Sequence, residues 1–110
     1  MPHRPHHLEI QVIDDDTDRP VLALSGDVDL RTAPRLRDRI DAVAADATTV
    51  VIDLQEVRFM DSPGLGTLIY CHQRLAAQET ELVVRAPTGP VKELFDMVRL
   101  DAIVPIEPTP

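Results

Sequence analysis

Residues 48–54, TTVVIDL, are an almost unbroken β-branched and apolar run. A strand with one wet face alternates apolar and polar side chains. A run without that alternation marks a strand covered on both faces, as in a parallel sheet. An amphipathic stretch follows closely, with Leu65, Leu68, Ile69, His72, Leu75 and Ala76 at helical spacing. A doubly covered strand feeding a helix restricts the chain to the α/β class.

The remaining segments extend this pattern. Leu8, Ile10 and Val12 alternate with Glu9 and Gln11, which predicts a half-buried first strand. The acidic DDDTDRP reads as a turn and VLALSG (21–26) as a second strand, giving a hairpin. DVDLRT leads into a helix, with Thr32 as its expected N-cap and Pro34 in its first turn. Ala33, Leu36, Ile40, Val43, Ala44 and Ala47 give that helix its apolar face. ELVVR (81–85) is a further strand, and a third helix starts near Thr88-Gly89-Pro90 with Val91, Leu94, Phe95 and Val98 on one side. Ala102–Ile106 is expected as an edge strand, since Pro105 cannot donate to a ladder. The predicted order is β-β-α-β-α-β-α-β: one α/β domain over residues 8–106, with a mixed, largely parallel sheet of four to five strands and helices packed on it. Residues 1–7 read as a loose lead-in and 107–110 as a polar tail.

A chain of 110 residues suits one domain. Its net charge of −8 is opposite in sign to the basic footprint that nucleic-acid binding needs, so a protein partner with a basic or mixed face is the better expectation. Aromatics make up 3%, which disfavours base-stacking platforms. One cysteine, Cys71, excludes an internal disulfide, and no segment reaches membrane-spanning length. These features predict a cytoplasmic protein.

The informative junction is RFMDSPGLGTLIY (58–70). Ser62 reads as a helix N-cap whose oxygen accepts from a backbone N–H, with Pro63 pre-set for the first helical position; such a cap contributes about 1 kcal/mol. Gly64 and Gly66 need a separate reason, because each costs up to about 1 kcal/mol against Ala in a helix. Glycines at a helix start remove side-chain cover, which lets another molecule approach closely.

The segments GDVDLRTAPRL, VVIDLQEVRFMDSPGLGTLI and LFDMVRLDAIVPI resemble the STAS domain of bacterial anti-sigma factor antagonists from about Leu8 to Ile106. The core signature is Asp-Ser-x-Gly-Leu-Gly after a β-branched strand. The resemblance implies a partner-binding protein and not an enzyme, needing no cofactor. It implies that Ser62 is phosphorylated by a serine kinase that is itself the anti-sigma factor, and that a serine phosphatase reverses the modification. Unphosphorylated antagonist would bind the anti-sigma factor and free the sigma factor. It also places Asp27, Asp29, Thr32, Asp61, Ser62, Pro63, Gly64, Leu65 and Gly66 on the partner-facing surface, the first three in a turn after the second strand. Phe59 and Met60 are expected near that surface. Pro63 departs from the small residue expected after the serine, and Arg99 and Gln78-Glu79-Thr80 replace glycine stops after the third and second helices. Other uses of a STAS domain, in a stress-signalling scaffold or a lipid-transport ATPase, are the alternative within the family. A small nucleotide-handling enzyme is the alternative outside it, although Gly64-Leu65-Gly66 is followed by no Lys-Ser/Thr and so is no P-loop.

Three further groups have structural explanations. Asp14, Asp16 and Asp18 have calcium-loop spacing, but Arg19 stands where the loop glycine belongs, so a solvated turn is expected. His3, His6 and His7 lack a carboxylate or thiol companion in sequence, and no metal site is assigned to them. His72 and Cys71 are read as packing residues of the second helix.

Overall fold

The computed structural model describes residues 6–108. His3 and the outer parts of the lead-in and tail lie outside them. The hairpin forms first in sequence: β1 (Leu8–Asp14) pairs antiparallel with β2 (Val21–Val28). Helix α1 (Ala33–Ala44) leads to β3 (Thr49–Met60), and α2 (Ser62–Ala76) leads to β4 (Glu81–Arg85). Helix α3 (Gly89–Val98) and a 3-10 turn (Leu100–Ala102) lead to β5 (Ile106–Glu107). The sheet runs β1-β2-β3-β4-β5, parallel from β2 onward.

This topology decides where the helices go. Three successive crossovers step the same way across the sheet, and right-handed connections then place every helix on one face. Leu36 and Ile40 of α1, Leu68 and Leu75 of α2, and Val91 and Phe95 of α3 accordingly share one core with Leu22, Leu24, Ile52 and Val84. The alternate residues Val21, Val51 and Val83 are in register with each other on the opposite face and are also buried. That face has ion pairs in place of helices. Arg85 meets Asp53 at 3.1 Å, and Arg19, just before β2, meets Glu107 on β5 at 2.7 Å. The double coverage implied by TTVVIDL is thus achieved with helices on one side and long charged side chains on the other.

Several local expectations change. The last strand is two residues, Ile106–Glu107, because a 3-10 turn takes up Leu100–Ala102. Ala47 lies beyond the end of α1, although it is buried. Asp27 belongs to β2 and not to the turn after it. Gly26 has φ +111°, and a Cβ there would lie 2.1 Å from the carbonyl oxygen of His7. Helix α3 does end in a left-handed residue, but Arg99 supplies it at φ 54°; Glu79 at φ 62° does the same after α2. The calcium-like triad is a turn in which Asp14 Oδ1 accepts from Asp16 N and Asp16 Oδ1 from Asp18 N.

Candidate functional site

The ends of β2 and β3 and the start of α2 converge because the two strands are parallel and, after two register shifts, end level with each other. Val28 faces Met60, and the Asp61 amide donates to the Val28 carbonyl at 3.3 Å. Asp61, and not Ser62, is the N-cap of α2. Its backbone is extended, and its Oδ1 accepts from the Gly64 amide at 2.8 Å. Ser62 is the first helical residue and Pro63 the second. The shift by one residue frees the hydroxyl: Ser62 is exposed, and its Oγ has no hydrogen-bond partner among the described residues. No base is bonded to this oxygen among the described residues, and it is open to solvent.

The two glycines have different roles. Gly64 is buried, and a Cβ there would sit 2.1 Å from the carbonyl oxygen of Val28 and 3.1 Å from its Cγ1. Its job is to let α2 pack on the end of β2, which corrects the expectation that it opens a docking face. Gly66 is exposed, with nothing within 4 Å of the equivalent position. The open face belongs to Gly66, with Pro63 and half-buried Leu65 beside it.

The turn before α1 also differs from expectation. Asp27, Asp29 and Thr32 are 2, 3 and 3% exposed. They build the turn from inside, leaving Leu30 at 69% exposure and Arg31 on the surface. Thr32 is the N-cap residue of α1, as expected, but does not cap it with its side chain. Its Oγ1 accepts from the Asp29 amide at 2.9 Å and donates to the Asp27 carbonyl at 2.9 Å. Asp29 Oδ1 accepts from the amides of Arg31 and Thr32 at 2.9 and 3.0 Å. His6 closes the back of this turn. Its Nδ1 lies 2.6 Å from Asp29 Oδ2, and its amide donates to Asp27 Oδ2 at 3.0 Å. Burial would raise the Asp29 carboxyl, but the hydrogen bonds from His6, Thr32 and Arg31 outweigh it and hold the group below its usual value of 3.8. The two halves of the site are joined where the Leu30 amide donates to Asp61 Oδ2 at 3.3 Å.

Leu30 falls within the Asp27–Thr32 turn expected on the partner-facing surface, whereas His6 carried no signal in the sequence as a site residue, because its pair with Asp29 spans 23 residues. Phe59 is 47% exposed, whereas Met60 is buried. Cys71 is fully buried, which together with the Asp41 carboxylate pushes its thiol up to about 11. His72 is half-buried, and its Nδ1 has no partner among the described residues. Among the described residues no group of three or more His, Cys, Asp or Glu converges to hold a metal ion.

A one-sided, mostly parallel sheet with an Asp-capped, serine-led helix at a strand end defines a STAS domain. The chain belongs to that family, matching the family described as "Mlab, STAS domain" over residues 12–105. More particularly, it is similar to anti-sigma factor antagonists. The anti-sigma F factor antagonist of Paenibacillus polymyxa is 31% identical over 88 residues, covering 78% of this chain and 75% of that one. The anti-sigma-B factor antagonist of Listeria monocytogenes is 29% identical over 102 residues, covering 92% and 90%. The crystal structure of an anti-sigma factor antagonist from Mycobacterium paratuberculosis superposes with a TM-score of 0.83 at 35% identity, covering 98% and 92%. Among the described residues no helix is long and apolar enough to cross a membrane.

Proposed function

We propose that this chain is a cytoplasmic anti-sigma factor antagonist whose binding is switched at Ser62. In the unmodified state the surface formed by Leu30, Phe59, Pro63, Leu65 and Gly66 docks on an anti-sigma factor, which then releases its sigma factor. The buried Asp27, Asp29 and Thr32 shape that surface from behind, and Asp61 holds its two halves together. The anti-sigma factor doubles as the kinase: Ser62 Oγ attacks the γ-phosphorus of ATP, the bond to the β-phosphate oxygen breaks, ADP leaves, and the serine proton passes to a base of the kinase. A serine phosphatase returns the protein to the binding state by hydrolysis.

The observation that carries this reading is the exposed, unpartnered Ser62 hydroxyl at a helix start beside open Gly66. A phosphoserine there carries about −1.5 to −2 charges at pH 7. It sits next to Asp61 in a chain already at −8. A docking partner would have to bury that charge, and a loss of about 3 kcal/mol already weakens binding more than a hundredfold. The fold itself need not change.

The test is to incubate the protein with its cognate anti-sigma kinase and ATP. Phosphate should appear on the parent and not on Ser62→Ala, while Ser62→Asp should bind the anti-sigma factor at least a hundredfold more weakly. Phosphate incorporated equally into Ser62→Ala, or Ser62→Asp binding like the parent, would sink the reading.

A further inference from the structure

A phosphate at a helix start ordinarily folds back onto the free amides there, where the helix dipole also favours it. The start of α2 has been stripped of those amides. Pro63, the second helical residue, has no N–H. The Gly64 amide is already held by Asp61 Oδ1 at 2.8 Å, and the Leu65 amide by the Asp61 carbonyl at 2.9 Å. Only Ser62's own amide remains. A phosphate seeking the Gly64 amide would have to displace a carboxylate that also holds the Leu30 amide at 3.3 Å.

We propose that Pro63 and Asp61 together keep the Ser62 phosphate standing off the surface with its charge uncompensated, so that Pro63 sets how completely modification turns binding off. This rests on Ser62 being the modified residue. A phosphate satisfied by its own helix would present a partly neutralised surface, whereas one with no first-turn amide beyond that of Ser62 itself presents most of its charge to any partner and stays reachable for hydrolysis. An alanine in place of Pro63 would restore one amide inside the first turn and draw the phosphate inward.

The experiment uses the full chain with phosphoserine encoded genetically at position 62, so that no kinase is needed. The second ionisation of the phosphate is followed by phosphorus NMR in the folded protein and in the same protein unfolded in urea. The folded value should equal or exceed the unfolded one, near the ordinary value of about 6. In the Pro63→Ala phosphoprotein it should fall below that of the folded parent, because an added donor favours the dianion. A folded parent value below its unfolded reference overturns the proposal, and a Pro63→Ala value unchanged from the parent overturns the role of Pro63. Either result would leave antagonism by the unmodified protein standing, and absence of antagonism would not alter the titration.

Discussion

Exchanging each signature glycine for alanine separates packing from docking. At Gly64 the new methyl would lie 2.1 Å from the Val28 carbonyl oxygen and 2.8 Å from its carbon, both backbone atoms of a buried strand end. Neither can rotate away, so the helix start must move outward by roughly 1 Å to restore van der Waals contact. Overpacking of this kind costs about 1–3 kcal/mol, at the upper end where backbone is the obstacle. Moving the helix start also strains the Asp61–Gly64 cap, worth about 1 kcal/mol. Alanine's better helix propensity returns about 1 kcal/mol, so Gly64→Ala should lose about 3 kcal/mol overall. At Gly66 nothing lies within 4 Å. The propensity gain then stands alone, and Gly66→Ala should be stabilised by roughly 0.5–1 kcal/mol while binding the anti-sigma factor less well. Urea denaturation of the parent and both variants measures the first effect, and titration calorimetry against the anti-sigma factor the second. If Gly64→Ala proved as stable as the parent, or Gly66→Ala were destabilised, the assignment of opposite roles would be wrong.

Other outcomes follow from the turn and the core. Thr32→Val leaves the Asp29 amide and the Asp27 carbonyl without their buried partner, and should cost about 2–3 kcal/mol in urea denaturation. Asp29 has a folded pKa below its unfolded value of 3.8, so its contribution is present above that value and is lost as the pH falls through the folded pKa. Acid titration of stability should therefore flatten at low pH in Asp29→Asn, and an unchanged slope would show that the His6–Asp29 pair is not formed. With its thiol raised to about 11, Cys71 is only about a thousandth thiolate at pH 8, and a thiol reagent should label the folded protein at least a hundredfold more slowly than the unfolded one.

The division between what was legible in sequence and what was not follows the range of the interactions. Element order, the hairpin, the parallel strands and the exposed serine after β3 are all stated by local patterns: alternation, helical spacing, a β-branched run and a six-residue signature. The assignments that failed were those in which one residue's role depends on a partner far along the chain. Asp61 rather than Ser62 caps α2 because β2 and β3 end together, placing the Asp61 amide on Val28 and its carboxylate between Leu30 and Gly64. Thr32 does stand at the N-cap of α1, yet its hydroxyl is bonded inward within a turn that His6 closes across 23 residues.

The glycines show the same limit most sharply. By itself the sequence determined that two flexible residues would open the second helix, since propensity alone makes them costly there. Only the folded arrangement decided that one of them is pressed against a strand and the other is bare, because a methyl group's clash is a property of the space around it and not of its neighbours in the chain.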